Sequence, residues 1–419
     1  MKSRLLWILA AGAAALVAQA PQPRAVAIVD ARIVPVGAPV IAQGTIVFAH
    51  GKITALGTHV EVPKGAEIIR GKGIAVYPGM LDADTTVGIA EVSGHAPGTM
   101  DVNELGDFNP QLVSGKSVNP TSDILGTVRA NGVTTVLVAM RGGRISAQAS
   151  LVDLGLYTND EMNLERKAAL WINFPSARGG RGGRGGAAAG GSTAQQLQQL
   201  ADYFAAARRY APIAGTTQFP QPAMAAMAPY ATGAAPVIFS VSSAPDIRAA
   251  IKFGQEQHLK FILAGALDAW QVIPEIKAAG CPVLYGPLTS MPSSENDPYD
   301  AIYTTPAALA RAGIPFAIVT GSAADSRNLP YNAALAEAYG LAPAAALEAI
   351  TISPAKILGV DSQIGTLAVG KRANLIISSG DPLDPRTQIQ SVYIDGLLMP
   401  PSKHKRLYDQ WMARPDGGQ

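Results

Sequence analysis

Short apolar runs alternate with helical patterns through the middle of this chain. Eight runs suit buried parallel strands, at residues 80–84, 133–139, 149–154, 168–174, 236–241, 260–263, 282–285 and 315–320. Helical patterns separate most of them, at residues 121–131, 194–210, 245–257, 268–279, 306–312 and 331–339. Strand and helix in eightfold alternation predict an α/β fold with a (β/α)8 barrel, although a doubly wound open sheet has the same periodicity.

The chain before these runs has a different pattern. Residues 25–76 contain short Val/Ile-rich runs separated by Gly, Asp and Lys, which predict β-strands joined by tight turns. At 419 residues the chain could hold one large domain plus a smaller one, or two to three average domains, and 48% apolar residues are enough for a sizeable core.

Residues 1–20 have the pattern of a secretory signal peptide. Lys2 and Arg4 precede an apolar run at residues 5–17, and Ala-Gln-Ala follows at residues 18–20. The apolar run, about 13 residues, is short for a helix that spans a bilayer. Pro21 would follow the cut and is awkward for a processing enzyme, which leaves an uncleaved anchor or a buried helix as alternatives. The pattern predicts export to the periplasm or the medium, with no membrane span after removal of the signal.

Charge and cysteine content give little indication of a partner. A net charge of +2 predicts no bulk attraction to nucleic acid or to an anionic membrane. Cys281 is the one cysteine of the chain, so it cannot form an intrachain disulfide. It lies far from the leader, so it cannot carry a lipid anchor there.

Residues 178–192, RGGRGGRGGAAAGGS, interrupt the barrel pattern after its fourth strand. A tract of this composition has no apolar surface to bury, which predicts a flexible, solvated insertion near the barrel mouth. Arginine-glycine repeats bind RNA in other proteins, which is the alternative. Three arginines in an exported chain favour the insertion, and we expect no nucleic-acid partner.

Residues 77–91 read YPGMLDADTTVGIAE. This stretch resembles the first barrel strand of the amidohydrolase superfamily, where a PGxIDxHxH pattern places two histidines at i and i+2 on one face to hold a metal. Pro78, Gly79 and Asp82 follow the pattern, but Asp84 stands at the first histidine position and Thr86 at the second.

The end of the chain carries a second, independent match to the same superfamily. Its GxLxxGKxADL pattern is matched by Gly365, Leu367, Gly370, Lys371, Ala373, Asn374 and Leu375. The resemblance, closest to the imidazolonepropionase-like or prolidase-like branch, implies a β-sandwich domain from residues 25–77 and 364–400, and a barrel from residues 78–363.

The resemblance also implies where metal ligands should lie. Active relatives, many of which use zinc, take histidines from the first, fifth and sixth barrel strands and a catalytic aspartate from the eighth. Here Ser240, with Ser242 two residues on, stands on the fifth strand, Gly265 on the sixth and Gly321 on the eighth. Together with Asp84 and Thr86, these residues predict a ligand pocket without a metal, and we expect no cofactor.

Two alternatives keep a metal or a catalytic role at the mouth. Of the five histidines, His50, His59, His95, His258 and His404, only His95 falls where it could approach the mouth. An active enzyme would then use Asp84, Asp82 and His95 as substituted ligands. Alternatively, Ca²⁺ or Mg²⁺ could take oxygen ligands from Asp82, Asp84 and Thr86.

The resemblance implies an exported hydrolase of dipeptide or other C–N bonds, and the substitutions predict that its catalysis is impaired. Such a pseudoenzyme would bind a small molecule at the barrel mouth, form a homo-oligomer, or serve as the silent subunit of an active amidohydrolase. The alternative is an active metal-dependent amidohydrolase or dipeptidase.

Overall fold

The structure is a computed structural model that describes residues 25–91, 97–155, 158–176, 192–213, 215 and 219–414. The predicted signal peptide, His95 and all but the last residue of the 178–192 tract fall outside these ranges. Within the described ranges, no helix is both long enough and apolar enough to cross a membrane.

Sixteen strands and eleven α-helices lie in the described ranges. The strands are β1 Val26–Ile33, β2 Ile41–Ala49, β3 Lys52–Gly57, β4 Glu67–Arg70, β5 Ala75–Pro78, β6 Met80–Thr85, β7 Val133–Val138, β8 Ile145–Asp153, β9 Asn163–Asn173, β10 Val237–Val241, β11 Phe261–Gly265, β12 Val283–Tyr285, β13 Phe316–Ile318, β14 Leu375–Ser378, β15 Ile389–Ile394 and β16 Leu397–Leu398. The helices are α1 Asp123–Arg129, α2 Asn159–Met162, α3 Thr193–Tyr210, α4 Pro222–Ala231, α5 Ala244–Glu256, α6 Ile273–Ala279, α7 Ala301–Ala312, α8 Leu329–Ala338, α9 Pro343–Glu348, α10 Ile352–Ile357 and α11 Lys403–Met412.

The middle of the chain forms one eight-stranded sheet that curls into a nearly closed barrel. Its strands follow the chain order from β6 to β13, and each pairs with the next. The barrel closes where its two end strands, β13 and β6, meet. There the N–H of Gly321, just after β13, donates to the carbonyl of Asp84 on β6 at 2.9 Å. The Leu81 N–H of β6 also bonds the Ile350 carbonyl at 2.8 Å, so the segment after α9 closes the seam.

The eight barrel strands are not all parallel, which corrects the prediction of a regular (β/α)8 repeat. Strand β8 runs antiparallel to both β7 and β9. Only six residues, 139–144, separate β7 from β8, too few for the crossover helix that parallel neighbours require. The apolar run at residues 149–154 indicated the strand but carried no information on its direction.

The helices follow most of the predicted pattern, with differences in bounds and in number. Helix α6 begins at Ile273 rather than at residue 268, and α7 begins five residues before its Pro306. Helices α2 and α11 were not predicted, and neither was α4, Pro222–Ala231. Helix α4 contributes a second helix beside α3 to the crossover between β9 and β10.

Strands from both ends of the chain form the second sheet. The order is β16-β15-β14-β5-β1-β2-β3, with β4 paired to β1. Strand β14 from the end of the chain pairs antiparallel with β5 from the start, with Ile376 opposite Tyr77. All eight strands are hydrogen-bonded into one sheet with its own apolar cluster around Ile28, Phe48 and Leu375. The sandwich arrangement and the domain bounds remain predictions.

An ionic network joins this sheet to the barrel. Arg372, just before β14, donates to Asp153 at the end of β8 at 3.0 Å and to Asp395. Asp153 is fully buried and also accepts from Thr135 at 2.6 Å and from Asn374 at 3.0 Å. Burial raises the pKa of Asp153 to about 6, while the charge of Arg372 opposes that rise.

Candidate site at the barrel mouth

Asp82 lies on β6 with its carboxylate inside the barrel seam. Its side chain is 0% exposed, and it accepts from the Thr320 N–H at 3.2 Å, the Ser326 hydroxyl at 2.9 Å and the Thr320 hydroxyl. Burial raises the pKa of Asp82 to about 7, with a further rise from the charge of Asp84 and an opposing effect from the hydroxyl donors. Asp82 therefore carries only part of a negative charge at neutral pH.

Asp84, two residues further along β6, forms an ion pair with Arg141. The Arg141 guanidinium donates from Nη2 to the Asp84 carboxylate and, at 3.4 Å, to the Gly321 carbonyl. The resemblance implies a metal ligand at position 84. The cation beside Asp84 in this protein is instead the guanidinium of Arg141.

Arg141 is held in place by a contact with an aromatic ring and by a hydrogen bond from a side-chain amide. Its guanidinium carbon lies 4.4 Å from the centre of the Trp171 ring. Its backbone carbonyl accepts from the Asn173 side-chain amide at 2.6 Å, and Asn173 in turn accepts from the Trp171 indole N–H at 3.2 Å. Trp171 and Asn173 are two residues apart on β9, so their side chains lie on the same face of the strand.

The structure brings Thr86 and Gly321 to the same part of the mouth as Asp82 and Asp84. The Thr86 hydroxyl accepts from the Ala323 N–H at 3.1 Å, which fastens the loop after β13 to the end of β6. Gly321 has a φ of +75°, a left-handed conformation that favours glycine. A histidine or aspartate side chain at this position would therefore strain the backbone.

Ser240 lies on the inner face of the barrel. Its neighbour Phe239 packs against Phe253 of α5 on the outside, with ring centres 6.0 Å apart, so Ser240 points the other way. Ser240 is in register with Asn173 on β9, and Ser242, beyond the strand, is exposed. Within the described part of the chain, neither serine side chain bonds to Asp82 or Asp84.

Gly265 closes β11 with a φ of +84°. A Cβ at this position would lie 2.7 Å from the Val241 carbonyl oxygen, closer than real contacts allow. The expected histidine of the sixth strand therefore could not fit here without a shift of the backbone. His95, the remaining candidate, lies outside the described residues.

The described residues do not fit a metal ion. Among them, no group of three or more His, Cys, Asp or Glu side chains is arranged to hold one. Asp84 is bonded to a guanidinium, whose positive charge would repel a divalent cation. Asp82 has both oxygens engaged by hydrogen-bond donors. The chemistry of the described mouth residues, which do not include His95, therefore does not fit zinc, calcium or magnesium.

Sequence reasoning missed the residues that complete this site, namely Arg141, Trp171, Asn173, Thr320 and Ser326. Arg141 carried a usable signal, since it is a charged residue two positions past the end of a predicted barrel strand, where loops form the mouth. Trp171 and Asn173 lie within the predicted fourth strand, residues 168–174, where the apolar run gave no signal of a site.

Comparison with known proteins supports the superfamily resemblance. The Amidohydrolase family model matches residues 257–399, about a third of the chain. One curated relative, the "Putative N-acetylgalactosamine-6-phosphate deacetylase" of Escherichia coli (strain K12), is 36% identical over 64 residues. The match spans 15% of this chain and only 35% of that relative.

Solved structures show the same fold over nearly the whole chain. An amidohydrolase from Thermotoga maritima MSB8 is similar with a TM-score of 0.79 and 23% identity, covering 89% of this chain and 99% of that one. A prolidase complexed with N-methylphosphonate-L-proline has a TM-score of 0.56 and 14% identity, covering 90% and 99%. The chain thus has the fold of solved amidohydrolases and prolidases, with an arginine–aspartate pair at its barrel mouth.

Proposed function

We propose that the protein is an exported member of the amidohydrolase superfamily that does not carry out metal-dependent hydrolysis and instead binds a small molecule at its barrel mouth. The observation that carries this proposal is the ion pair between Arg141 and Asp84. A guanidinium cannot lower the pKa of a bound water and deliver hydroxide as a metal does. The same pair offers polar groups at the mouth of the barrel, where barrel proteins bind ligands.

The proposal is tested by metal content and hydrolysis together. The full chain, purified without added metal, is analysed for bound zinc and assayed with Xaa-Pro dipeptides and N-acetylgalactosamine 6-phosphate, before and after incubation with zinc. We expect far less than one equivalent of zinc and no turnover above the buffer rate. About one equivalent of zinc, removed by a chelator together with hydrolysis, would overturn the proposal and establish an active enzyme with substituted ligands.

Export and assembly are separate parts of the proposal. Export rests on the leader pattern at residues 1–20 and is tested by locating the protein in cell fractions and sequencing its mature N-terminus. A silent-subunit role predicts that an active amidohydrolase of the same cell copurifies in a fixed ratio. A single species with the mass of one chain would exclude stable oligomers of either kind.

A further inference from the structure

We infer that Arg141 is the anchor of a ligand site that takes the carboxylate group of a small organic acid. This inference rests on the proposed ligand-binding function and names its ligand class. Two features of Arg141 support it: the N–H groups that the protein leaves unused, and the rigidity with which the side chain is held.

Arg141 uses only part of its hydrogen-bonding capacity. Among the described residues, its side chain donates from Nη2 alone, to Asp84 and to the Gly321 carbonyl. A guanidinium has five N–H donors, so the donors of Nε and Nη1 remain for a ligand. The side chain is 25% exposed, so part of it is accessible to a ligand.

The position of Arg141 is set before any ligand arrives. Its guanidinium lies on the Trp171 ring, and its backbone is held by the N–H bond to the Val102 carbonyl at 2.7 Å and by Asn173. A side chain that is already ordered loses little conformational entropy when it binds, so each hydrogen bond to the ligand contributes more to affinity.

Arg144, three residues further on, shows what a purely structural arginine looks like in the same region. It also lies over an aromatic ring, Phe108, at 4.7 Å, and pairs with an aspartate, Asp107. Its Nε, Nη1 and Nη2 groups all donate to the protein, with Nη1 bonding Gln196 and Gln199. Arg144 therefore keeps far less capacity for a ligand than Arg141.

A carboxylate is the ligand group that fits the charges around Arg141. Both forks of the guanidinium include Nη2, which already donates to Asp84 and to the Gly321 carbonyl, so the carboxylate would accept a single charge-assisted N–H bond from Nη1 or from Nε. A phosphate dianion would place twice the charge beside Asp84 and the partly charged Asp82, which disfavours it. The inner-face hydroxyl of Ser240, on the strand next to Trp171 and Asn173, provides a neutral polar wall.

Binding is tested by saturation-transfer NMR on the full chain with matched acids and amides at about 10 mM, a concentration that detects millimolar affinity. The pairs are benzoate with benzamide, and N-acetyl-L-proline with N-acetyl-L-prolinamide. We expect the acids to bind and the neutral amides to bind at least about tenfold more weakly. Arg141→Gln should lower acid affinity at least about tenfold, Arg141→Lys by less, and the matched control Arg144→Gln by less than about twofold.

Circular dichroism and thermal melting confirm that each variant is folded before binding is compared. Equal binding by wild type and folded Arg141→Gln, or no binding of either acid by wild type, would overturn the inference. The metal and hydrolysis assays report on the proposed function separately. If the protein proves to be a zinc enzyme that still binds acids through Arg141, only the proposed function is overturned. If the protein is inactive and binds no acid, only this inference is overturned.

Discussion

Thr320 donates both its backbone N–H and its hydroxyl to the carboxylate of Asp82, and this contact joins the last barrel strand to the first. Strands β13 and β6 are the two ends of the barrel sheet. Ser326, beyond the same loop, donates to the same carboxylate at 2.9 Å. In this protein an aspartate of the first strand therefore serves to close the barrel, and its protonation should affect stability.

Replacing Asp82 by asparagine should remove one source of pH dependence. The pKa of Asp82 is about 7 in the folded protein against 3.8 for an ordinary aspartate, so its stabilising contribution is complete below pH 3.8 and is lost as the pH rises through 7. Between pH 5 and pH 8, wild type should therefore lose on the order of 2 to 3 kcal/mol of unfolding free energy that Asp82→Asn does not lose. Urea unfolding of both proteins at the two pH values measures this difference.

The comparison cancels groups that titrate equally in both proteins, Asp153 among them. Asparagine keeps an acceptor for Thr320, and the hydroxyls of Thr320 and Ser326 can rotate to accept from its amide. A difference in unfolding free energy that stays constant from pH 5 to pH 8 would show that Asp82 does not titrate in this range.

The network between the two sheets predicts a large loss of stability when its arginine is removed. Arg372→Gln leaves the fully buried Asp153 without a cationic partner, which should cost about 3 kcal/mol of unfolding free energy. The loss of unfolding free energy should be greater at pH 8 than at pH 5. In wild type the charge of Arg372 opposes the rise in the pKa of Asp153, so removing that charge would raise this pKa further.

The control for this change is Arg386→Gln. Arg386 pairs with Asp384 on the surface, with a side chain 89% exposed, so the variant should lose less than about 1 kcal/mol. Urea unfolding of both variants is the measurement. Equal losses in the two would mean that the Arg372 network does not stabilise the contact between the sheets.

Replacing Asp84 by asparagine should strengthen binding of carboxylates. Asp84 offsets the positive charge of the Arg141 guanidinium and repels an incoming anion. We expect Asp84→Asn to bind benzoate about tenfold more tightly than wild type, with benzamide unchanged. Titration followed by ligand-observed NMR gives both affinities, and weaker benzoate binding by a folded variant would contradict this account of the site.

Phe239 anchors the apolar layer between β10 and the helices. Its ring lies 5.3 Å from Phe174 and 5.7 Å from Phe261, and its side chain is fully buried. Phe239→Ala should lower the unfolding free energy by about 3 to 5 kcal/mol. Leu105→Ala, at a position 94% exposed, should change it by less than about 0.5 kcal/mol under the same conditions. A small loss at Phe239 would mean that the layer collapses around the missing ring.

Much of the fold could be predicted because its signals are local. Apolar runs a few residues long indicate strands, and the strand–helix alternation indicates a barrel. The direction of β8 could not be predicted in this way, because direction depends on the length of the connection and on pairing with neighbours. The glycines at positions 265 and 321 show the same division. The sequence shows that both positions lack a side chain. The structure adds the reason, because a side chain would strain the backbone at these positive φ angles.

The candidate site divides in a similar way between sequence and structure. The sequence alone determined that imidazoles are missing from the expected ligand positions, since Asp84, Thr86, Ser240, Gly265 and Gly321 can be identified directly. Only the tertiary structure decided what lies beside Asp84, because Arg141 is 57 residues away along the chain and reaches it across neighbouring strands. It likewise placed Thr320 on Asp82, 238 residues away. Contacts of this kind depend on how the sheet curls, which no local pattern of residues encodes.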